Sequence, residues 1–275
     1  MIKLSNIFEM VKNLILDTDI LCDPDDFFAL LMALKSREVN LAAIITSDEH
    51  EQHRAKFVKK IVKKNTPVFS GEDIGNSKYC FHYESDEVVR TDYLDFVQEM
   101  LNTNETIHYA CISPQSNLAK IIDLSGSENL DVTIMGGAIN YRKKGPEHNI
   151  KMDVKSALKV FNSNIKKRYV ISDTTFKPEI IGVSKNHYLY TELSKSNELL
   201  KKNCDDFFEK FYPQTIMHDP LTLSSIIMPQ LVFFENKKIN MLEDGVMVFD
   251  ENGKDTIISC GAQYKSLMKL IEKRI

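Results

Sequence analysis

The chain has 275 residues, of which 43% are hydrophobic and 27% charged, a composition typical of a soluble globular protein and not of a disordered or fibrous one. The 35 Lys and Arg residues against 39 Asp and Glu give a net charge of −4, which argues against binding to nucleic acid. No segment approaches the roughly 20 apolar residues of a membrane span, and the amino-terminal stretch lacks the apolar run of a signal peptide. These features predict a soluble, cytoplasmic protein without nucleic-acid or membrane partners.

Five cysteines, at positions 22, 80, 111, 204 and 260, are scattered along the chain, and no CxxC pair is present. A zinc-finger site therefore has no support. The pattern favours reduced and mostly buried thiols, as in cytosolic proteins.

Short apolar runs alternate with amphipathic stretches along the chain. Strands are predicted at residues 12–17, 41–46, 67–69, 106–112, 132–135 and 168–172, and helices at 26–36, 53–64, 115–124 and 153–163. Residues 183–228 are predicted to be mainly helical, and roughly the last 45 residues to form strands and a final helix at 262–273. This order predicts one α/β domain over residues 1–275, with a mostly parallel central sheet flanked by helices in a Rossmann-like arrangement.

Five acids lie within ten residues directly after the first predicted strand: Asp17, Asp19, Asp23, Asp25 and Asp26. An acidic run is usually a solvated surface, and an acid at a helix start can act only as a cap. These acids, however, occupy a strand-to-helix turn, where side chains converge at the edge of a parallel sheet. Because crowded carboxylates repel one another, they indicate a bound cation, and their hard oxygen atoms favour Ca²⁺ or Mg²⁺ over Zn²⁺.

Residues 17–30, DTDILCDPDDFFAL, resemble the signature DTDxGxDxDDAxAL of the inosine-uridine-preferring nucleoside hydrolases, with Leu21 in place of the glycine. Five later segments resemble further motifs of that family in the same order. They are Thr46 with Arg54-Ala55 for TTxxGDxxxRA, residues 113–119 for GPLTNxA, residues 134–138 for MGGA, residues 147–157 for EFNIxxDPEAA and residues 217–221 for HDPL. The resemblance spans residues 14–222 and implies the nucleoside hydrolase fold.

The resemblance implies hydrolysis of the N-glycosidic bond of a ribonucleoside or related ribosyl compound, with a calcium-bound water, to free base and ribose. It implies that Asp19, Asp26, Asp219 and the main-chain carbonyl of Ser116 hold the calcium ion, and that Asp19 is also the general base. Nucleoside catabolism or purine and pyrimidine salvage, and a homodimer or homotetramer, are further implications.

For the substrate, the resemblance implies that Asp25, Glu147 and Asn149 bind the ribose. His218 would lie near the nucleobase and protonate it as it leaves. Acid catalysis of this kind suits a histidine, because its ordinary pKa lies near neutral pH.

Two departures from the family motifs concern the substrate pocket. The ribose-contacting Asn that follows the TTxxG segment falls on His50 in an ungapped alignment, or on Asp48 with a small shift. An Asn expected before Glu147 is missing, because Tyr-Arg-Lys-Lys occupies residues 141–144. This basic stretch can accept an anionic group on the 5′ carbon of a substrate, or form only a solvated loop. We expect His50 to contact the ribose, and the base stays unspecified.

Two other functions stay open from the sequence. The first is a non-catalytic relative that binds calcium or a ribosyl compound through a drifted pocket. The second is a metal-dependent phosphatase of the haloacid-dehalogenase-like type, which shares the opening ILDTD and would use Asp17 as its nucleophile. The phosphatase is less favoured, because its later Lys and acidic motifs are missing and it leaves the HDPL segment unexplained.

Overall fold

The computed structural model describes residues 11–62, 65–75, 81, 83, 85–103, 105–140 and 145–275. The strands in this part of the chain are β1 (Lys12–Thr18), β2 (Val39–Thr46), β3 (Val68–Ser70), β4 (Ile107–Cys111), β5 (Leu130–Met135), β6 (Lys166–Val170), β7 (Gly182–Ser184), β8 (Gln214–Ile216), β9 (Val232–Met241), β10 (Met247–Phe249) and β11 (Lys254–Ala262). The helices are α1 (Asp25–Leu34), α2 (His53–Ile61), α3 (Tyr93–Leu101), α4 (Ser116–Ile121), α5 (His148–Met152), α6 (Val154–Asn162), α7 (Ser172–Thr175), α8 (Pro178–Ile181), α9 (Tyr188–Ser196), α10 (Glu198–Lys210), α11 (His218–Ile227) and α12 (Tyr264–Arg274). Among the helices described, none has both the length and the apolar character needed to cross a membrane.

Nine strands form one sheet in the order β10-β9-β11-β6-β5-β4-β1-β2-β3. The seven strands from β11 to β3 pair in parallel, and β9 and β10 continue the sheet in antiparallel pairing. The predicted mostly parallel sheet flanked by helices is therefore confirmed. That residues 1–275 form a single domain stays a prediction.

The sheet has a topological switch point between β1 and β4. Along the chain, β1 is followed on one side by β2 and β3, whereas β4, β5 and β6 extend the sheet on the other side. The connections at the carboxyl ends of β1 and β4 therefore diverge and leave a crevice. In open α/β sheets this crevice is the usual place for a ligand.

Apolar side chains cover both faces of the sheet. On β1, Leu14 and Leu16 join the core layer on one face, and Ile15 joins the layer on the other, as the alternation of a strand requires. The first layer includes α1 and α11, which pack against each other. This packing brings the amino terminus of α11, late in the chain, to the crevice above β1.

The structure adds elements that the sequence prediction lacked. The region predicted as mainly helical also contains β7 and β8, whose three residues each are too few to show an alternating pattern. Helix α3 was not predicted, although its buried residues Tyr93, Val97 and Leu101 recur at a helical spacing of four. Helix α5 was missed because its five residues form barely more than one turn.

Candidate active site

An acidic loop, residues 19–24, joins β1 to α1 at the switch point. Strand β1 ends at Thr18, and Asp25 and Asp26 occupy the first turn of α1. Leu21 in this loop has a φ of 91°, a left-handed conformation that favours glycine. The backbone thus keeps a glycine-type conformation at the position where the family signature has glycine.

Three buried carboxylates meet above β1. One oxygen each from Asp25, Asp26 and Asp219 lies within 4.8 Å of the other two. The Asp219 amide, at the start of α11, donates a hydrogen bond of 3.2 Å to Asp25 Oδ2. Burial first, and then the neighbouring carboxylates, raise the pKa of all three well above the ordinary value. Three converging acid oxygens without exposure to water fit a hard divalent cation such as Ca²⁺.

Asp19 lies beside this group. It follows the last residue of β1 and is half-buried, and its carboxylate is not one of the three that converge. After burial, the charge of Asp19 is the largest cause that raises the pKa of Asp26, so the two acids are close. The roles of Asp19 as a metal ligand and general base stay predictions.

The side chain of Arg54, on α2, forms hydrogen bonds with the backbone of the acidic loop. Its guanidinium donates to the carbonyl oxygens of Asp19 and Ile20. The same group forms a buried ion pair of 2.8 Å with Asp48 and donates from Nε to the Asp48 carbonyl at 3.0 Å. The guanidinium therefore fixes the backbone that carries Asp19, and its charge lowers the pKa of Asp19, against the larger opposite effect of burial.

Asp17 is a buried residue whose hydrogen bonds stabilise the crevice. Its carboxylate accepts hydrogen bonds from Tyr109, Ser113 and Asn117 at 2.6, 2.9 and 2.9 Å. Asn117 also donates to the Thr46 carbonyl at 3.0 Å, so the ends of β1, β2 and β4 are tied together. Burial raises the pKa of Asp17 to about 7. Because Asp17 is 0% exposed and already has three donors, it cannot reach a substrate as the nucleophile of a phosphatase.

The far side of the acidic loop is held by α10 and β8. Asn203 donates to the Cys22 carbonyl at 3.1 Å, and Thr215 donates to the carboxylate of Asp23. Cys22 itself is disulfide-bonded. The expectation of reduced thiols is therefore wrong at Cys22, whereas the cysteines at 111, 204 and 260 are free.

Ser116 begins α4 at the carboxyl end of β4 and is buried. Its hydroxyl donates to Asp153 Oδ2 at 2.7 Å, and Asp153 Oδ1 accepts from the amide of Ser156 as the cap of α6. Asp153 thereby fixes the turn that carries the Ser116 carbonyl. Asp153 lies within the motif at residues 147–157, but the family resemblance implied no role for it.

Glu147 and Asn149 lie together at the carboxyl end of β5. Glu147 caps α5, and its Oε2 accepts from the amides of Asn149, Ile150 and Gly137 at 3.0, 3.3 and 3.4 Å. Asn149 is buried and donates from Nδ2 to the Met135 carbonyl at 3.2 Å. The two side chains are thus held rigidly at the edge of the sheet where a ligand is expected.

His218 directly precedes Asp219 at the start of α11. Its Nδ1 lies 2.6 Å from the Thr175 hydroxyl, and its ring stacks on Phe176 with 6.2 Å between centroids. Burial lowers the pKa of His218 to about 4, so the imidazole is neutral near pH 7. This corrects the expectation of an ordinary histidine that titrates near neutral pH, although its role as a proton donor stays a prediction.

The connection between β2 and α2 contains the two alternatives for the ribose-contacting position. Asp48 is paired with Arg54, as described. His50 is half-buried, and its carbonyl accepts from the His53 amide at 3.0 Å. A contact of His50 with ribose stays a prediction, and the basic stretch 141–144 lies outside the described residues.

The structure thus places acids, an amide and a histidine at the carboxyl ends of β1 and β5 and at the starts of α1 and α11. Carboxylates can hold a cation, accept protons and stabilise positive charge that develops on a sugar. The sequence patterns did not indicate roles for Arg54 and Thr175, because a side-chain contact across the fold leaves no periodic signal.

The chain matches the sequence pattern of the family described as "Inosine-uridine preferring nucleoside hydrolase" over residues 14–271. No curated protein sequence is significantly similar to it.

Solved structures of similar fold include a plant nucleoside hydrolase, with a TM-score of 0.77 and 17% identity. A purine-preferring ribonucleoside hydrolase from Gardnerella vaginalis has a TM-score of 0.75 at 18% identity. An inosine-uridine preferring nucleoside hydrolase from Bacillus anthracis has a TM-score of 0.73 at 14% identity. Each similarity covers 96% of this chain and 98% of the other. At these identities the solved structures establish the shared fold alone.

Proposed function

The chain belongs to the inosine-uridine preferring nucleoside hydrolase family and cleaves the N-glycosidic bond of nucleosides, and from this premise we propose that it is a calcium-dependent ribohydrolase. Its products are a free base and ribose. The observation that carries the proposal is the convergence of Asp25, Asp26 and Asp219, three buried carboxylates that need a counter-charge.

The cation site is assigned to Asp19, Asp26, Asp219 and the Ser116 carbonyl. All four lie at the carboxyl ends of β1 and β4 or on the helix that packs over them. An all-oxygen set suits calcium, which takes six to eight oxygen ligands in flexible geometry. When bound, the ion supplies Lewis-acid chemistry that lowers the pKa of a water and orients the ribose hydroxyls.

Asp19 takes the proton of the attacking water as general base. It is half-buried and directly follows the end of β1, at the crevice. The bonds from Arg54 to the Asp19 and Ile20 carbonyls keep its backbone in place before the substrate binds. A base held in position avoids reorganisation in the transition state.

Asp25, Glu147 and Asn149 hold the ribose, with His50 as a further contact. Glu147 Oε2 is occupied by three backbone amides, which leaves Oε1 for the sugar. Carboxylates around the ring stabilise the positive charge that develops as the glycosidic bond breaks.

His218 assists the departure of the base. With its Nδ1 at the Thr175 hydroxyl, the ring can present Nε2 to the leaving group. The Phe176 ring stacks on His218, and we propose it as an apolar contact for a planar nucleobase.

We further propose a cellular role, a location and an assembly for the protein. By the family resemblance, the protein acts in nucleoside catabolism or purine and pyrimidine salvage in the cytoplasm, as a homodimer or homotetramer. Light scattering after size exclusion tests the assembly, and a monomer at all concentrations would contradict it.

A panel of nucleosides, assayed for reducing sugar before and after chelation, tests the chemistry. We expect turnover of at least one ribonucleoside, its loss with chelator and its recovery with calcium. Turnover that survives complete chelation contradicts the calcium assignment. Tight calcium binding without any turnover indicates the non-catalytic relative, and turnover only of phosphate esters indicates a phosphatase.

A further inference from the structure

Gln115 is a fully buried amide next to the crevice. It directly precedes α4 and Ser116, and it is 0% exposed. Among the residues that the structure describes, neither its Oε1 nor its Nε2 has a hydrogen-bond partner. Its side chain does not cap α4 either. A buried polar group of this kind calls for an explanation, because most such groups are paired.

The amide faces the carboxyl end of β5. A Cβ placed on Gly136 would lie 3.8 Å from Gln115 Nε2 and 3.5 Å from Glu147 Oε2. The two polar groups, together with the Ile134 side chain at 3.5 Å, therefore border the same small volume beside Gly136, which has no side chain to fill it. This volume adjoins Glu147, to which ribose binding is assigned above.

The amide of Gln115 is a difference between this chain and the family motif. The motif GPLTNxA, which residues 113–119 resemble, has Leu at the position of Gln115. A leucine at this position has no polar side-chain atom that needs a partner, so it would increase the stability of the folded protein. Polar groups that reduce stability in this way are typical of functional sites.

We propose that Gln115 is a specificity-determining residue that pairs with a ribose hydroxyl bound beside Glu147. This inference rests on the proposed function. An amide offers both a donor and an acceptor, and among sugar substituents only a hydroxyl matches both. A phosphate offers acceptors alone and would face the carboxylate of Glu147. The ligand group at this position is therefore a neutral hydroxyl.

The Gln115 amide is closed to solvent in this structure. Pairing with a ligand hydroxyl therefore requires a local rearrangement when the ligand binds. Pairing then occurs only with a ligand that carries the hydroxyl, which produces discrimination against analogues that lack it.

The first test compares Gln115→Leu and Gln115→Met with the wild-type protein. We expect Tm to stay equal or rise, and kcat/KM on a ribonucleoside to fall at least 10-fold. Tyr169→Phe is the matched control, since Tyr169 is 0% exposed and its hydroxyl has no partner in the described residues. The control should change Tm in the same direction without changing kcat/KM. Unchanged kinetics in both Gln115 variants, or a fall in Tm in both, overturns the proposal.

The second test identifies the hydroxyl. The wild-type protein and Gln115→Leu are assayed with a ribonucleoside and its 2′-, 3′- and 5′-deoxy analogues. We expect the variant to lose at least 10-fold in kcat/KM on every compound except the analogue that lacks the partner hydroxyl. An equal loss on all four compounds assigns Gln115 to structure and overturns the proposal.

Gly136→Ala provides an independent variant. The added Cβ has no contact shorter than 3.5 Å and φ at this residue is not positive, so the protein should fold with its normal Tm. The methyl group would nevertheless occupy the volume between Gln115 and Glu147. We expect kcat/KM on the ribonucleoside to fall at least 10-fold, and an unchanged value contradicts the proposed volume.

A binding measurement separates this inference from the proposed function. Calorimetry with Asp19→Asn, with and without Gln115→Leu, gives the Kd of the same four compounds without requiring turnover. An increase in Kd caused by Gln115→Leu for every compound except the one that lacks the partner hydroxyl supports the inference, even if the calcium chemistry is wrong. Equal Kd values in the two proteins overturn it even if the enzyme is active.

Discussion

Arg54 and Asp48 form an ion pair of 2.8 Å in which the two side chains are only 2% and 3% exposed. Removing one partner of a buried pair leaves an uncompensated charge, which typically costs about 3–5 kcal/mol. We expect Arg54→Met to lower the free energy of unfolding by about this amount, measured by urea denaturation. Asp48→Asn should cost less, because an amide still accepts from the guanidinium. A loss below about 1 kcal/mol for Arg54→Met would contradict the buried pair.

Asp219→Asn removes one charge from the three-carboxylate group. Without calcium, we expect Tm to rise, because two buried acids repel each other less than three. Calcium affinity should fall by more than the roughly 10–100-fold loss that is typical when a residue that only supports a metal ligand is mutated. Calorimetric titration of calcium measures the second effect, with the exposed acid variant Glu251→Gln as control. Unchanged calcium affinity in Asp219→Asn would remove Asp219 from the site.

Asp19→Asn tests the general base. The amide has nearly the same shape and can still bind the cation through its oxygen, but it cannot accept a proton. We expect kcat to fall by about 10²–10⁴-fold, with Tm at or above the wild-type value because one charge beside Asp26 is lost. Turnover near the wild-type rate in calcium-loaded Asp19→Asn would exclude Asp19 from proton transfer.

His218→Ala tests assistance to the leaving group. Acid catalysis matters only where charge develops on the departing base, so a nitrophenyl riboside should lose little activity. A natural nucleoside should lose about 10²-fold or more. Thr175→Val keeps the ring but removes its hydroxyl partner, and we expect a smaller loss with the same selectivity. Equal losses on both substrates would assign His218 to positioning.

A 2′-deoxynucleoside tests the requirement for ribose. A site built to pair with a hydroxyl is left with unpaired buried groups when that hydroxyl is absent. If one such contact contributes about 3 kcal/mol, kcat/KM should fall by roughly 10²-fold. Comparable kcat/KM values for a ribonucleoside and its 2′-deoxy analogue would contradict ribose recognition through the cation and Asp25.

The elements that could be predicted from the sequence are those with a periodic apolar pattern or with charged residues directly after an apolar run. Strand β1 and helix α1 follow from an apolar run that ends in acids and from a helical apolar stretch, and the structure confirms both within two residues. The meeting of Asp26 with Asp219 is predicted only through the family resemblance, since 193 positions separate them in the printed sequence.

Other site features depend on side-chain burial, which no local pattern records. Arg54 matches a family motif, but its contacts with the acidic loop and with Asp48 become evident only from the structure. Gln115 departs from the leucine of the family motif, but only the structure shows that neither of its amide atoms has a partner in the described residues. The lowered pKa of His218 likewise follows from burial alone.

The hydrogen bond from the Asp219 amide to Asp25 joins residues 194 positions apart. Contacts of such long separation form late in folding, because the chain between them must first be ordered. During synthesis, the acids of the first loop therefore emerge long before α11 can dock on α1. A chain that has not yet docked α11 has the acids of the acidic loop but lacks Asp219. On the proposed ligand assignment, such a chain would offer a cation an incomplete set of ligands. Cation uptake would then be a late event, and the ion would stabilise the native state selectively over its unfinished precursors.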